Sequence, residues 1–85
     1  MKPVQELRGS KFEWDERPRV LTRGNTAFVS ATEVIFRVVL PDGRKTEWHP
    51  DLDGLAFECM NLIGRAVGRN DLRLLQREAF LNDEG

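Results

Sequence analysis

The stretch Leu40-Pro41-Asp42-Gly43-Arg44 (LPDGR) decides the fold. Proline presets φ at the second position of a turn. Aspartate suits the next, and glycine takes the left-handed site that closes a three-residue hairpin loop. Upstream, Ala27 to Leu40 is rich in Val, Phe, Ile and Thr, which is strand composition. Pairing outward from the loop sets Leu40 opposite Arg44, Val38 opposite Thr46 and Phe36 opposite Trp48. That register places an aromatic pair on a core face.

Ala27 to Leu40 is long for one strand. Its apolar phase also changes, from odd positions (Ala27, Val29) to even ones (Val34, Phe36, Val38, Leu40). A bulge or bend near Ser30 to Thr32 reconciles the two phases. The turn signal Arg23-Gly24-Asn25-Thr26 precedes it, and Arg19 to Thr22 is a short candidate strand. Lys11 to Trp14 alternates, with Phe12 and Trp14 on one side, as in an edge strand that Pro18 ends. Residues 1–10 lack periodicity and read as a flexible N-terminal arm.

After Pro50 the apolar period lengthens to about 3.6 residues. Leu55, Cys59, Leu62, Ile63, Ala66 and Val67 form one broad stripe, so a helix is expected from about Asp53 to Val67. Gly64 falls inside it, at a cost of about 1 kcal/mol relative to Ala. Gly68-Arg69-Asn70-Asp71 reads as a stop followed by a new cap, with Asn or Asp as N-cap. A second helix, Asp71 to Leu81, carries Leu72, Leu75 and Ala79 on one stripe. Residues 82–85 are expected to fray. The fold class is therefore α+β: a small antiparallel sheet of three or four strands, then two helices on one face, in a single domain over residues 11–81. The breadth of the first helix's stripe suggests a further role for the helices, as a homodimer interface.

Composition bounds the function. With 85 residues the chain makes one domain, and a deep pocket would remove core that it can hardly spare. Residues 1–50 carry nine Lys/Arg against seven Asp/Glu, and residues 51–85 carry four against seven. Neither half is a basic arm of the kind that binds nucleic acid by bulk charge. A lone cysteine, Cys59, leaves no intrachain disulfide and no cysteine-based metal site. The N-terminus has no apolar run and no stretch is long enough to span a bilayer, so a reduced, cytoplasmic setting without membrane contact is expected.

Candidate chemistry is sparse. Read as a calcium loop with Gly54 sixth, the segment His49 to Met60 places His first and Met twelfth, which a hard cation does not choose. "DLDGL" resembles the Asp-x-Asp-Gly-Thr loop of haloacid-dehalogenase phosphatases at four positions. It lacks the Thr, and the 32 residues after Asp53 hold no Lys. Helix capping by Asp51 or Asp53 accounts for both acids. Cys59 sits on the apolar stripe, as a buried small hydrophobe does, and this is favoured over a nucleophilic pair with His49, ten residues earlier. No cofactor is implied.

These readings point to a small non-enzymatic protein-interaction module: a regulator, adaptor or inhibitor of a larger complex, of bacterial or phage type, acting as a homodimer. Trp and Arg are enriched in binding hot spots. The candidate contact residues are therefore Trp14, Arg17 and Arg19, then Arg69, Arg73 and Arg77, which recur every four positions. The alternative is a nucleic-acid-binding regulator using that C-terminal arginine stripe.

Overall fold

A computed structural model describes residues 3–83. Strands β1 (Lys11–Arg23) and β2 (Thr26–Val39) form a long antiparallel hairpin. A short, irregular β3 (45–49) joins the free edge of β2 through the bridges Val39–Lys45 and Phe36–His49. Helices α1 (Leu52–Ile63) and α2 (Arg69–Asp83) follow. They pack on one face, α1 against β2 and α2 against β1. The fold is α+β, as the sequence implies.

The LPDGR loop closes as expected. Leu40 N–H donates to the Arg44 carbonyl at 2.7 Å, and Gly43, at φ +95°, donates to the Leu40 carbonyl at 2.9 Å. Asp42 accepts the Arg44 backbone N–H, and this bond with the guanidinium holds its carboxyl below the usual range. Pairing holds through Val38, whose carbonyl accepts Thr46 N–H at 3.0 Å. There the register slips. Thr46 Oγ1, not a backbone carbonyl, accepts Val38 N–H at 3.1 Å, and the hydroxyl donates to the Glu47 carbonyl. One residue is gained. Phe36 exchanges both backbone hydrogen bonds with His49 (2.8 Å each) rather than facing Trp48. The expected Phe36–Trp48 pair is thereby replaced. Trp48 lies over the Arg37 guanidinium, 4.4 Å from its ring centroid, and Arg37 in turn binds Glu13 at 2.6 Å.

β1 is continuous through Pro18, which sequence reading takes as a stop. The reason lies in the parity of the ladder. Phe36 spends its backbone groups on β3, so those of its β1 partner, Trp14, point away from β2. Glu16 and Pro18 share that parity. Pro18 therefore meets the open edge, where a missing N–H breaks no ladder bond. The β2 bulge falls where the phase change requires it: partners step from Arg19–Ala31 to Val20–Val29, leaving Ser30 over.

The core lies at the base of the hairpin. Phe12, Val38 and Leu40 of the sheet meet Leu55, Ala56 and Cys59 of α1 and Leu72 and Leu75 of α2. Trp14 and Phe36 pack at its margin, and Trp14 stacks on Phe80 of α2 at 4.9 Å. The N-terminal segment, expected to be a flexible arm, is folded where it is described. Gln5–Leu7 form a 3-10 turn, Leu7 is fully buried in the core, and Glu6 binds Arg65 at 2.7 Å.

Helix α1 is shorter than its apolar stripe. Asp51 caps it by accepting Gly54 N–H at 2.7 Å. Gly64, at φ +69°, ends it as a left-handed C-cap. Gly64 is thus a stop and not a mid-helix residue, and Ala66 is exposed beyond it. Gly68 then opens α2. Its N–H donates to Asp71 Oδ2 at 2.9 Å, so the cap is Gly68, with Asp71 reaching back, and not Asn or Asp.

The helices cover only the base of the ribbon. Beyond Glu16 on β1, every described side chain is exposed up to the turn, and so are those from Thr26 to Phe28 on β2. The radius of gyration, 14.8 Å, exceeds the value of about 12 Å expected for a compact chain of this length. The molecule measures 47 × 32 × 22 Å, with the hairpin as a projecting arm.

Thr46 is buried and supplies the acceptor for a buried N–H. Thr46→Val should lower the unfolding free energy by about 1–3 kcal/mol, seen as a lower urea midpoint at unchanged slope. Thr22→Val, on the exposed arm, should change it by less than about 0.5 kcal/mol.

Candidate protein-interaction surface

The arm spans residues 17–32, roughly 20 Å of two-stranded ribbon. It holds three arginines and no Lys, Asp or Glu. Strand alternation sorts its side chains. Arg17, Arg19, Leu21 and Arg23 fall on one face of β1, and β2 supplies Phe28 opposite Leu21 and Ala31 opposite Arg19. Leu21 remains 41% exposed and Phe28 44%. The other face carries Pro18 and Val20, and Val20 is 57% exposed. Charge at the base of the arm is paired, since Arg17 Nε contacts Glu33 at 2.5 Å. Both faces thus leave large apolar groups in water.

The sequence-derived contact residues fall into separate places. Trp14 is half-buried, between Phe12 and the Phe80 ring, so it acts as a packing element at the core margin. Arg17 and Arg19 lie on the exposed arm. Arg69, Arg73 and Arg77 share one exposed side of α2, where Arg69 binds Asp53 at 3.2 Å. Arg65 lies outside both helices and binds Glu6, so the four-residue recurrence does not build one continuous stripe. Arg23, Leu21 and Phe28 escape sequence reading. Their signal is the alternation Arg17, Arg19, Leu21, Arg23, which shows once β1 is carried through Pro18.

The sites with catalytic overtones are engaged in structure. Cys59 is fully buried, and burial, with the nearby Glu58 charge, pushes its thiol up to about 11. His49 Nε2 lies 2.5 Å from Glu58 Oε1, and the Glu58 carboxylate also accepts Glu47 N–H. Asp51 is committed to its cap. Among the described residues, no three His, Cys, Asp or Glu side chains gather to hold a metal ion. A hollow of about 560 Å³ opens beside Lys11, Glu13, Trp14, Arg37, Trp48 and Glu78. Its two cations face two carboxylates, so no net charge selects an ion. No described helix is long and apolar enough to cross a membrane.

Comparison with known protein families, curated proteins and solved structures gives no match to this chain.

The buried thiol makes a pH prediction. The folded value, about 11, lies above the ordinary 9.0, so the unfolded chain loses this proton first. The contribution is full below pH 9 and is lost as pH rises to about 11. Urea titrations across that window should show a fall in stability that is shallower in Cys59→Ala, although the cavity lowers the stability of that variant at every pH.

Proposed function

We propose that this protein is a non-enzymatic protein-interaction module that docks through its hairpin arm. The arm's composition carries the reading. Protein interfaces are enriched in Arg and depleted in Lys, Asp and Glu, and residues 17–32 follow that pattern, with one exposed aromatic, Phe28, among them. Thermodynamics adds support. A two-stranded ribbon standing alone is marginally stable in water, so an arm with exposed Val20, Leu21 and Phe28 gains from a partner that covers it. A small regulator or adaptor that binds a larger complex, and that itself pairs as a homodimer, fits this outline. A reduced, cytoplasmic setting suits its single buried thiol.

The alternative reading is nucleic-acid binding through Arg69, Arg73 and Arg77 on α2. Arg69 is already paired with Asp53, and Asp71 and Glu78 on the same helix dilute its field. A gel shift that weakens steeply with salt and vanishes in Arg73→Glu with Arg77→Glu would favour it over the arm.

A photo-crosslinking residue at position 28 tests the arm. Discrete protein adducts should form with purified chain or in lysate, and Leu21→Asp should abolish them without changing the circular dichroism spectrum. An arm that yields no adduct in either setting would refute protein docking.

A further inference from the structure

We infer that the arm's partner is a second copy of this chain, with the Arg-bearing face of each arm seated on the acidic, aromatic side of α1 in the other. The inference rests on the protein-docking reading and names its occupant.

The receiving surface centres on Phe57, which is 62% exposed although it is a large aromatic on a helix. Asp53 stands one turn before it on the same side of α1. Glu58 follows Phe57 in the chain, and Glu47 lies beside it, its backbone N–H on the Glu58 carboxylate. An exposed aromatic ring thus shares its side of α1 with the Asp53 carboxylate, while the Glu58 carboxylate reaches toward β3. Arg69 offsets part of this charge, through Asp53.

The arm mirrors that surface. Arg19 and Arg23 flank Leu21, and Phe28 lies opposite it on the same face. Cation meets carboxylate and apolar group meets apolar group. Complementarity also holds at larger scale: residues 17–32 carry three Arg, of which Arg17 is paired with Glu33, and no acid, whereas residues 51–85 carry four Lys/Arg against seven Asp/Glu. Electrostatic complementarity of this kind steers association and rejects partners of the wrong charge.

The second copy is favoured because arm and receiver lie on one chain. In a two-fold pair each copy gives one arm and accepts one, so a single complementary contact is made twice. Only the Arg-bearing face of the arm docks, about half of its 16 residues, so arm and receiver together make a small interface, below the about 20–30 residues a side of standard-size ones. The resulting dimer is salt-sensitive, because the charges at its rim are screened within about 10 Å at 0.1 M salt.

Charge reversal tests the pairing by sedimentation equilibrium on the whole chain. Arg19→Glu with Arg23→Glu makes the arm acidic. Glu47→Lys with Asp53→Lys makes the receiver basic. All four side chains are exposed, so both variants should fold, as circular dichroism will show. The wild type should be a dimer at micromolar concentration. Each variant should dimerise about 100-fold more weakly, and an equimolar mixture of the two should restore a one-to-one heterodimer. Should the arm variant misfold, Leu21→Ser with Phe28→Ser is the second probe, with the same expected loss of dimer. A monomeric wild type, a dimer unmoved by either reversal, or a mixture that fails to re-pair would each overturn the inference. A monomer whose arm crosslinks to a different protein keeps the docking reading and removes this one. A monomer that shifts a DNA duplex through Arg19 and Arg23 removes both.

Discussion

The two hydrogen bonds that Phe36 exchanges with His49 set the rest of the molecule. They commit the backbone of alternate β2 residues to β3 and leave the intervening ones for β1. The face of the sheet that carries Phe12, Trp14, Phe36 and Val38 follows from that parity and receives both helices. Arg37 goes to the opposite face, between Glu13 and Trp48. Pro50 and Asp51 come next in the chain, so the same contact fixes where α1 begins. The helical layer is tethered to the base of the ribbon, and the described helices pack there and not on the arm.

Stability and exposure are therefore unevenly shared. At the base, buried Leu7, Leu55, Leu72 and Val38 remove apolar surface from water on all sides. Along the arm, two strands hold each other by backbone pairing, helped by the exposed Arg17–Glu33 ion pair, and such pairs contribute about 0–1 kcal/mol. Elements with few buried contacts are the first to open locally. A protein this small has a thin margin of burial, so a long uncovered ribbon costs stability in the isolated chain and offers a ready surface for another.

Much of the architecture was legible in the sequence because local chemistry dictates it. The Pro-Asp-Gly loop, the phase change that requires the Ser30 bulge, and the change of period after Pro50 each depend on residues a few positions apart. The misread positions share a different property. Simple pairing counts residues and puts Trp48 on the core face, whereas the Thr46 hydroxyl takes the place of a backbone acceptor and slips the register. Pro18 looked like a stop because its compatibility depends on which edge of β1 is open. Gly64 looked like a mid-helix residue because the apolar stripe continues into Val67, which packs on the core from outside the helix. The contact residues suffered likewise. Arg17 and Arg19 were found, but Arg23, Leu21 and Phe28 join them on one face only when β1 runs unbroken.

The sequence by itself determined the α+β class, the tight LPDGR loop, the β2 bulge, and the placing of Leu55, Cys59, Leu72 and Leu75 in the core, since each follows from turn stereochemistry or from helical and strand periodicity. Only the tertiary structure decided that Leu7 completes that core, that Trp48 covers Arg37, and that the described side chains of the arm stand free of it. The physical reason is the same in each case. Burial is a property of what lies across the chain, and neither the reach of the helices nor the open edge of β1 is written in any local run of residues.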